Sequence, residues 1–320
     1  YYLASELMET AESDSHYAEE LIRLPGIGVC MEHPALPEER ATREDFALPA
    51  KKILYGALQS LFKYLPQHDY IYPAIAKKVP DANFVFVASD SDFVTEIFAE
   101  RLKNAFVKAG LSYKKHVTIL PRLSFPKFMQ LLGVVDIYLD SLGFSGGITA
   151  IRSLAMDCPV LTCPGEFMRG RLGYAMVKQM GLEELIASSL DEYVAIACKL
   201  GLKKEFRSSM VDKIAATKHN LFNDNQSVEF LDKFFQAKTN KIRTASAQHQ
   251  GQSSDGSAAL PAASTAEVDP AVVVVAGVTA VPSAAVVAAV KAVPSVVVVA
   301  GAAAVPLPKQ ATTAPPQAAQ

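Results

Sequence analysis

Between residues 51 and 219 the chain alternates two kinds of segment, and that alternation narrows the possible folds more than any other feature. Short runs rich in Val, Ile and aromatic residues read as strands: "KKILYGAL" (51–58), "ANFVFVAS" (82–89), "HVTILPRL" (116–123), "DIYLD" (136–140), "CPVLTC" (158–163) and "ELIAS" (184–188). Between and after them lie segments with helical spacing: 68–80, Asp92 through Ala109 closed by Gly110, 126–132, 148–156, 167–180 ended by Gly181, 191–200 and 203–219. Short Val- and Ile-rich strands separated by helices imply a parallel sheet covered on both faces. Residues 46–236 are therefore expected to form an α/β, Rossmann-like, doubly wound domain. Ligands of such sheets bind outside the carboxyl ends of the strands, which singles out the loops after Leu58, Pro121 and Asp140.

The flanks do not share the alternation. "SDSHYAEELIRLPG" (13–26) predicts a helix from an Asp14/Ser15 cap through Leu24, broken by Pro25-Gly26, with a Pro- and charge-rich linker to Pro49. Residues 1–45 are expected to end a preceding domain, and a start at Tyr1 rather than Met suits a piece of a longer product. From about Lys238 aromatic residues vanish and Ala, Val, Pro, Ser and Gln dominate. Such a composition builds no packed core, so 237–320 reads as a disordered low-complexity tail. Its stretch 270–290 is uncharged and long enough for a bilayer. Pro282, the following Lys291 and the Ala/Val bulk favour the disordered tail over a membrane span, and "VVVVAG" recurs at 272–277 and 296–301 as a low-complexity duplication.

A formal net charge of -2 argues against a large basic surface for nucleic acid. Cys30, Cys158, Cys163 and Cys198 show no metal spacing, and the pair flanking "PVLT" reads as small hydrophobes suited to a reducing compartment. No Ser-His-Asp order, metal-ligand cluster or paired catalytic carboxylates stand out. His68 and His116 lie at element edges and read as incidental.

Chemistry concentrates in three places. After Asp140, Gly146 and Gly147 precede a helix expected from Ile148, with Thr149 in its first turn. Paired glycines admit a close ligand, and free N–H groups at a helix start favour a phosphate. A Gly pair there also serves simply to shape a tight turn, and spacing does not separate the two. The loop is neither a P-loop nor a GxGxxG fingerprint. In "QSLFKYLP" (59–66), Gln59 and Lys63 follow a strand directly, where a lysine is either a cation in the crevice or merely solvated. In "PGEFMRGRLGYA" (164–175), Glu166 is expected at a helix start, while Arg169 and Arg171 either grip phosphate or pair with Glu166 or Asp140.

Taken together, "YAEELIRLPG", "QSLFKYLP" and the run from "ILPRLSFPKF" through "PGEFMRGRLGYAMVKQMGLEELIA" resemble the C-terminal catalytic lobe of O-GlcNAc transferases. They resemble in particular the bacterial and algal SPINDLY-like relatives that follow tetratricopeptide repeats. The resemblance covers about residues 1–236 and implies the GT-B architecture, two Rossmann-like lobes around UDP-GlcNAc, with inverting transfer to Ser or Thr of proteins. It implies that Lys63 holds the donor diphosphate as the catalytic cation, and it places Gln59 beside the family's donor-contacting glutamine. By the same resemblance Gly146, Gly147 and Thr149 line the diphosphate, Arg122 and Leu123 fall where backbone meets the uracil, and Glu166 and Arg171 fall at the donor nucleotide sugar. It implies no metal and no cofactor beyond that donor, a protein acceptor, no nucleic acid, and a cytoplasmic or nuclear setting.

The departures are Ile148 and Ala150 where many relatives are polar, and Arg152 where most are acidic. They bear on donor affinity and identity. No tetratricopeptide repeats are visible, and the N-terminal lobe with the family's essential His is represented only by its final segment. Taken alone, the chain is expected not to turn over. Two alternatives remain: a GDP-fucose donor, as in plant SPINDLY proteins whose "PGE" counterpart differs, and a catalytically degenerate interaction module.

Overall fold

A computed structural model describes residues 1–251 together with the segments 272–275 and 297–298. Its centre is a five-stranded, wholly parallel sheet of β3 (Ile53–Gly56), β4 (Ala82–Val87), β5 (Val117–Leu120), β6 (Ile137–Leu139) and β7 (Val160–Leu161), in the spatial order β5-β4-β3-β6-β7. The register sets Tyr55 beside both Phe84 and Ile137. Phe84, Val85 and Phe86 of β4 are fully buried, as near-continuous apolar strands must be when helices cover both faces. The covering helices are α1 (Ile71–Lys78), α2 (Asp92–Lys108), a single turn α3 (Tyr113–His116), α4 (Phe125–Leu132), α5 (Ile148–Ala155), α6 (Leu172–Gln179), α7 (Leu190–Leu202) and α8 (Lys204–Thr217). Gly110 and Gly181 sit at positive φ just past α2 and α6, where a left-handed residue ends a helix.

The strand order fixes where a ligand belongs. From β3 the chain steps outward to β4 and β5, then crosses back to place β6 on the other side of β3. The loops leaving β3 and β6 therefore lie at a switch point, where ligands of such sheets bind.

Three expectations change. Residues 13–24 do not form one helix: a 3-10 turn covers Ser13–His16, and Leu21–Leu24 is a strand, β2, paired in parallel with β1 (Tyr2–Ser5). Asp14 caps nothing; its carboxylate takes the Arg23 guanidinium at 2.6 Å. Leu3 and Leu24 are instead buried in a separate small core with Ile22 and with Phe230, Leu231, Phe234 and Phe235 of the last helix, α9 (Gln226–Gly251). "ELIAS" contributes a 3-10 turn (Glu183–Leu185) and one bridge, Thr162 to Ile186, rather than a strand.

The tail also starts later than composition suggests, because α9 runs through residue 236 to Gly251. Two of its Val-rich segments are extended: Val272–Val275 (β8) pairs in parallel with β1, and Val297–Val298 (β9) pairs with β8. The rest of the 237–320 segment, including most of the stretch weighed as a membrane span, lies outside the described residues. Among the described residues no helix is long and apolar enough to cross a membrane.

Part of the expected linker is tied to the central lobe. Arg43 forms a two-point ion pair with Asp136 at 2.8 and 3.0 Å and donates to the carbonyls of Ala50 and Lys52, while Phe46 and Leu48 enter the core.

Candidate functional site

The loop after β3 turns once, as a 3-10 helix at Leu61–Lys63. Leu61 and Tyr64 are buried and pin the turn, and the Gln59 backbone N–H donates to the Tyr64 hydroxyl at 2.9 Å. Pinning these two leaves Phe62 exposed and Lys63 half-buried over the opposite loop. The Lys63 ammonium donates to the Ser145 carbonyl at 3.2 Å and stands 4.2 Å from the centroid of the Phe144 ring. Burial pulls its pKa below the ordinary lysine value, against the opposing charge of Asp140.

Asp140 organises the loop after β6. Its buried carboxylate accepts the Ser145 hydroxyl at 2.6 Å, the Gly146 N–H at 2.6 Å and the Thr162 hydroxyl at 2.8 Å. Its own carbonyl accepts the Tyr193 hydroxyl at 2.9 Å, and Ser145 Oγ accepts the Gly173 N–H at 2.7 Å. Burial raises the Asp140 pKa; the Ser145, Gly146 and Thr162 hydrogen bonds and the Lys63 charge pull the other way. Sequence reasoning saw Asp140 only as a partner for arginine. The available signal was an acid closing a buried strand, with Ser and Thr nearby to satisfy it.

The raised pKa has a testable sign. A carboxyl whose folded pKa lies above its unfolded value binds protons preferentially in the folded state, so its contribution to stability falls as pH rises through that interval. The stability of wild type relative to Asp140→Asn should therefore decrease as pH rises above the ordinary value of 3.8. Urea unfolding of both proteins across the acid range measures it, and the opposite slope would contradict the assignment.

α5 is preceded by Gly147, which supplies no side-chain cap. The N–H groups of its first turn have no intrahelical acceptor and carry the positive end of the helix dipole. Beneath them lies a polar floor. The Tyr138 hydroxyl donates to Thr149 Oγ1 at 2.9 Å, and the Gln59 amide donates to both hydroxyls. Gln59 and Thr149 thus point into this partly buried cluster and support the loop. A Cβ on Gly146 would collide with Gln59 Nε2 and lie 2.9 Å from both Thr149 Oγ1 and Tyr138 Oη, so a side chain there would force these polar ends to shift.

The remaining candidates are spread more widely. Glu166 is exposed in a turn ahead of a 3-10 helix at Met168–Gly170, and α6 begins only at Leu172, so it does not stand at the start of an α-helix. Arg171 donates to the Gly165 carbonyl at 3.1 Å and lies over the Tyr174 ring, and Arg169 lies over Phe167. Neither arginine pairs with Glu166 or Asp140, because Asp140 is satisfied by Ser, Thr and backbone donors. The segment still joins the site, since Ser145 N–H donates to the Arg169 carbonyl at 2.8 Å. Arg122 pairs with Asp90 at the surface and Leu123 is half-buried; both follow β5, which β4 separates from the crevice strands. Arg152 lies 4.6 Å from the Phe125 ring and burial lowers its pKa.

His116 is buried, 2.8 Å from the Ala82 carbonyl, and stacks on Phe106, a structural role. A cavity of about 560 Å³ lies at the opposite end of the sheet, lined by Gly133, Asp136, Asp157 and Arg207 among others, far from these loops. Among the described residues no group of three or more His, Cys, Asp or Glu is placed to hold a metal ion.

A doubly wound parallel sheet with two loops at its switch point, one bearing a lysine and the other a glycine-led helix start, has the α/β fold of a lobe of the GT-B glycosyltransferases. Residues 35–231 match Glycosyl transferase family 41, and the chain belongs to that family. Over 201 residues it is 27% identical to the Arabidopsis thaliana "Probable UDP-N-acetylglucosamine--peptide N-acetylglucosaminyltransferase SPINDLY", covering 62% of this chain and 21% of that protein. A Caenorhabditis elegans UDP-N-acetylglucosamine--peptide N-acetylglucosaminyltransferase is 25% identical over 189 residues, covering 58% of this chain and 16% of its own.

Among solved structures, a mutant of the Thermobaculum terrenum O-GlcNAc transferase superposes with a TM-score of 0.65 at 22% identity, over 76% of this chain and 46% of that one. A mutant of S. aureus TarM, in complex with Fondaparinux, alpha-GlcNAc-glycerol and UDP, gives 0.50 at 9%, over 73% and 43%. At these identities the likeness is one of fold. The chain spans about a fifth of the length of the Arabidopsis relative, 21%.

Proposed function

We propose that this chain is the donor-binding part of a protein O-GlcNAc transferase-like enzyme, holding UDP-GlcNAc for inverting transfer to Ser or Thr hydroxyls of a protein acceptor. The observation that carries the reading is the meeting of the Lys63 ammonium with the Ser145–Gly147 loop at the switch point. In the transfer, the acceptor oxygen bonds to the anomeric carbon as the bond to the β-phosphate oxygen breaks, and UDP leaves with the electron pair. Negative charge grows on the diphosphate at that moment. Lys63 and the first-turn N–H groups of α5 are preorganised to meet it, so they stabilise the transition state more than the ground state. The reading needs no metal, because a lysine and a helix start supply the positive charge. The acceptor proton leaves to a base outside these two loops.

Thermal unfolding of the chain with UDP or GDP tests the reading and its rivals. UDP at about 100 times its dissociation constant should add about 2.7 kcal/mol of stability, with GDP much weaker. Protection by GDP alone would replace this reading with the GDP-fucose alternative, and protection by neither would leave the interaction module.

A further inference from the structure

The fold leaves two large apolar rings beside a cation. Phe62 is 69% exposed and Phe144 37%, and their rings meet edge-on with centroids 6.3 Å apart. Between Phe144 and the Ser145 carbonyl stands the Lys63 ammonium. We propose that Phe144, braced by Phe62, is a positioning residue that holds the Lys63 ammonium over the loop before α5 without neutralising it.

A lysine on a flexible four-carbon stem samples many rotamers unless something holds its head. A carboxylate could hold it, but would cancel the charge that an anion needs. Asp140, the acid whose charge acts on Lys63, is committed to three hydrogen bonds, two within its own loop and one to Thr162 after β7. The negative face of an aromatic ring attracts an ammonium while leaving its net charge and most of its N–H donors available. Phe144 is itself fixed: its carbonyl accepts the Ser141 hydroxyl at 2.7 Å, and Gly143 before it turns at φ +78°. The inference deepens the proposed function, resting on Lys63 as the diphosphate cation, and has a readout that does not depend on it.

The experiment uses the full chain with ε-13C-labelled lysine, the Lys63 signal being assigned with Lys63→Arg. In wild type, Lys63 should show a ring-current shift and titrate below the ordinary lysine value. Phe144→Leu should abolish the ring-current shift and lower the titration midpoint further, while Phe144→Tyr restores both. UDP binding should weaken about tenfold in Phe144→Leu, a loss absent when the change is made in a Lys63→Ala background. An unshifted Lys63 signal in wild type, or an unchanged signal and midpoint in a folded Phe144→Leu, would overturn the inference. So would an equal loss of UDP affinity with and without Lys63. If wild type binds no UDP, the functional reading fails while the lysine spectrum still decides the role of Phe144.

Discussion

Lys63→Ala should leave the chain folded and sharply reduce its protection by UDP. Lys63 makes one hydrogen bond to protein, to the Ser145 carbonyl, and its charge is partly desolvated. Removing it costs the fold little: the unfolding free energy should stay within about 1 kcal/mol of wild type. The ligand loses more. A hydrogen bond to a charged group is worth about 1.5–3 kcal/mol, so UDP affinity should fall by roughly one to two orders of magnitude. Paired thermal scans with and without UDP check both halves. Undiminished protection in the alanine variant would place the diphosphate elsewhere.

Gly146→Ala should damage fold and site together. The new methyl would fall on Gln59 Nε2, with Thr149 Oγ1 and Tyr138 Oη each at 2.9 Å. Gln59 has a flexible end but no free space, being 5% exposed and bonded to both hydroxyls. Pushing it aside leaves buried polar atoms unpaired, at about 1–3 kcal/mol. Relaxation of the loop instead shifts the start of α5. The melting temperature should fall by about 2–4 °C for each kcal/mol lost, and UDP should no longer protect. A variant with wild-type stability would show that Gln59 swings away freely.

How much of this could be read from the sequence depends on how local each cause is. Strands β3 to β7 and the longer helices between them follow the period of their own apolar residues, and their bounds were legible to within a few positions, while the single turn α3 was not foreseen. β2 was not. Leu21 and Leu24 are spaced as on a helix, and only pairing with β1 and the packing of Leu24 against Phe234 of α9, more than 200 positions away, makes this segment a strand. At the site, the glycine pair and the helix start at Ile148 were legible because each is a local backbone requirement, whereas Lys63 was singled out from a merely solvated lysine only by the family resemblance. The inward turn of Gln59 and Thr149 was not, since it depends on a hydroxyl from Tyr138 on another element. The same holds for Arg171, whose contacts are a carbonyl and a ring, and for Asp140, whose partners come from three separate segments of the chain.

The most direct measurement is a crystal structure of the chain with UDP bound. The diphosphate should lie between the Lys63 ammonium and the first-turn N–H groups of α5, with oxygens within about 2.7–3.2 Å of both. UDP bound in the cavity near Gly133 and Asp157, or with its diphosphate away from Lys63, would contradict the assignment of this crevice.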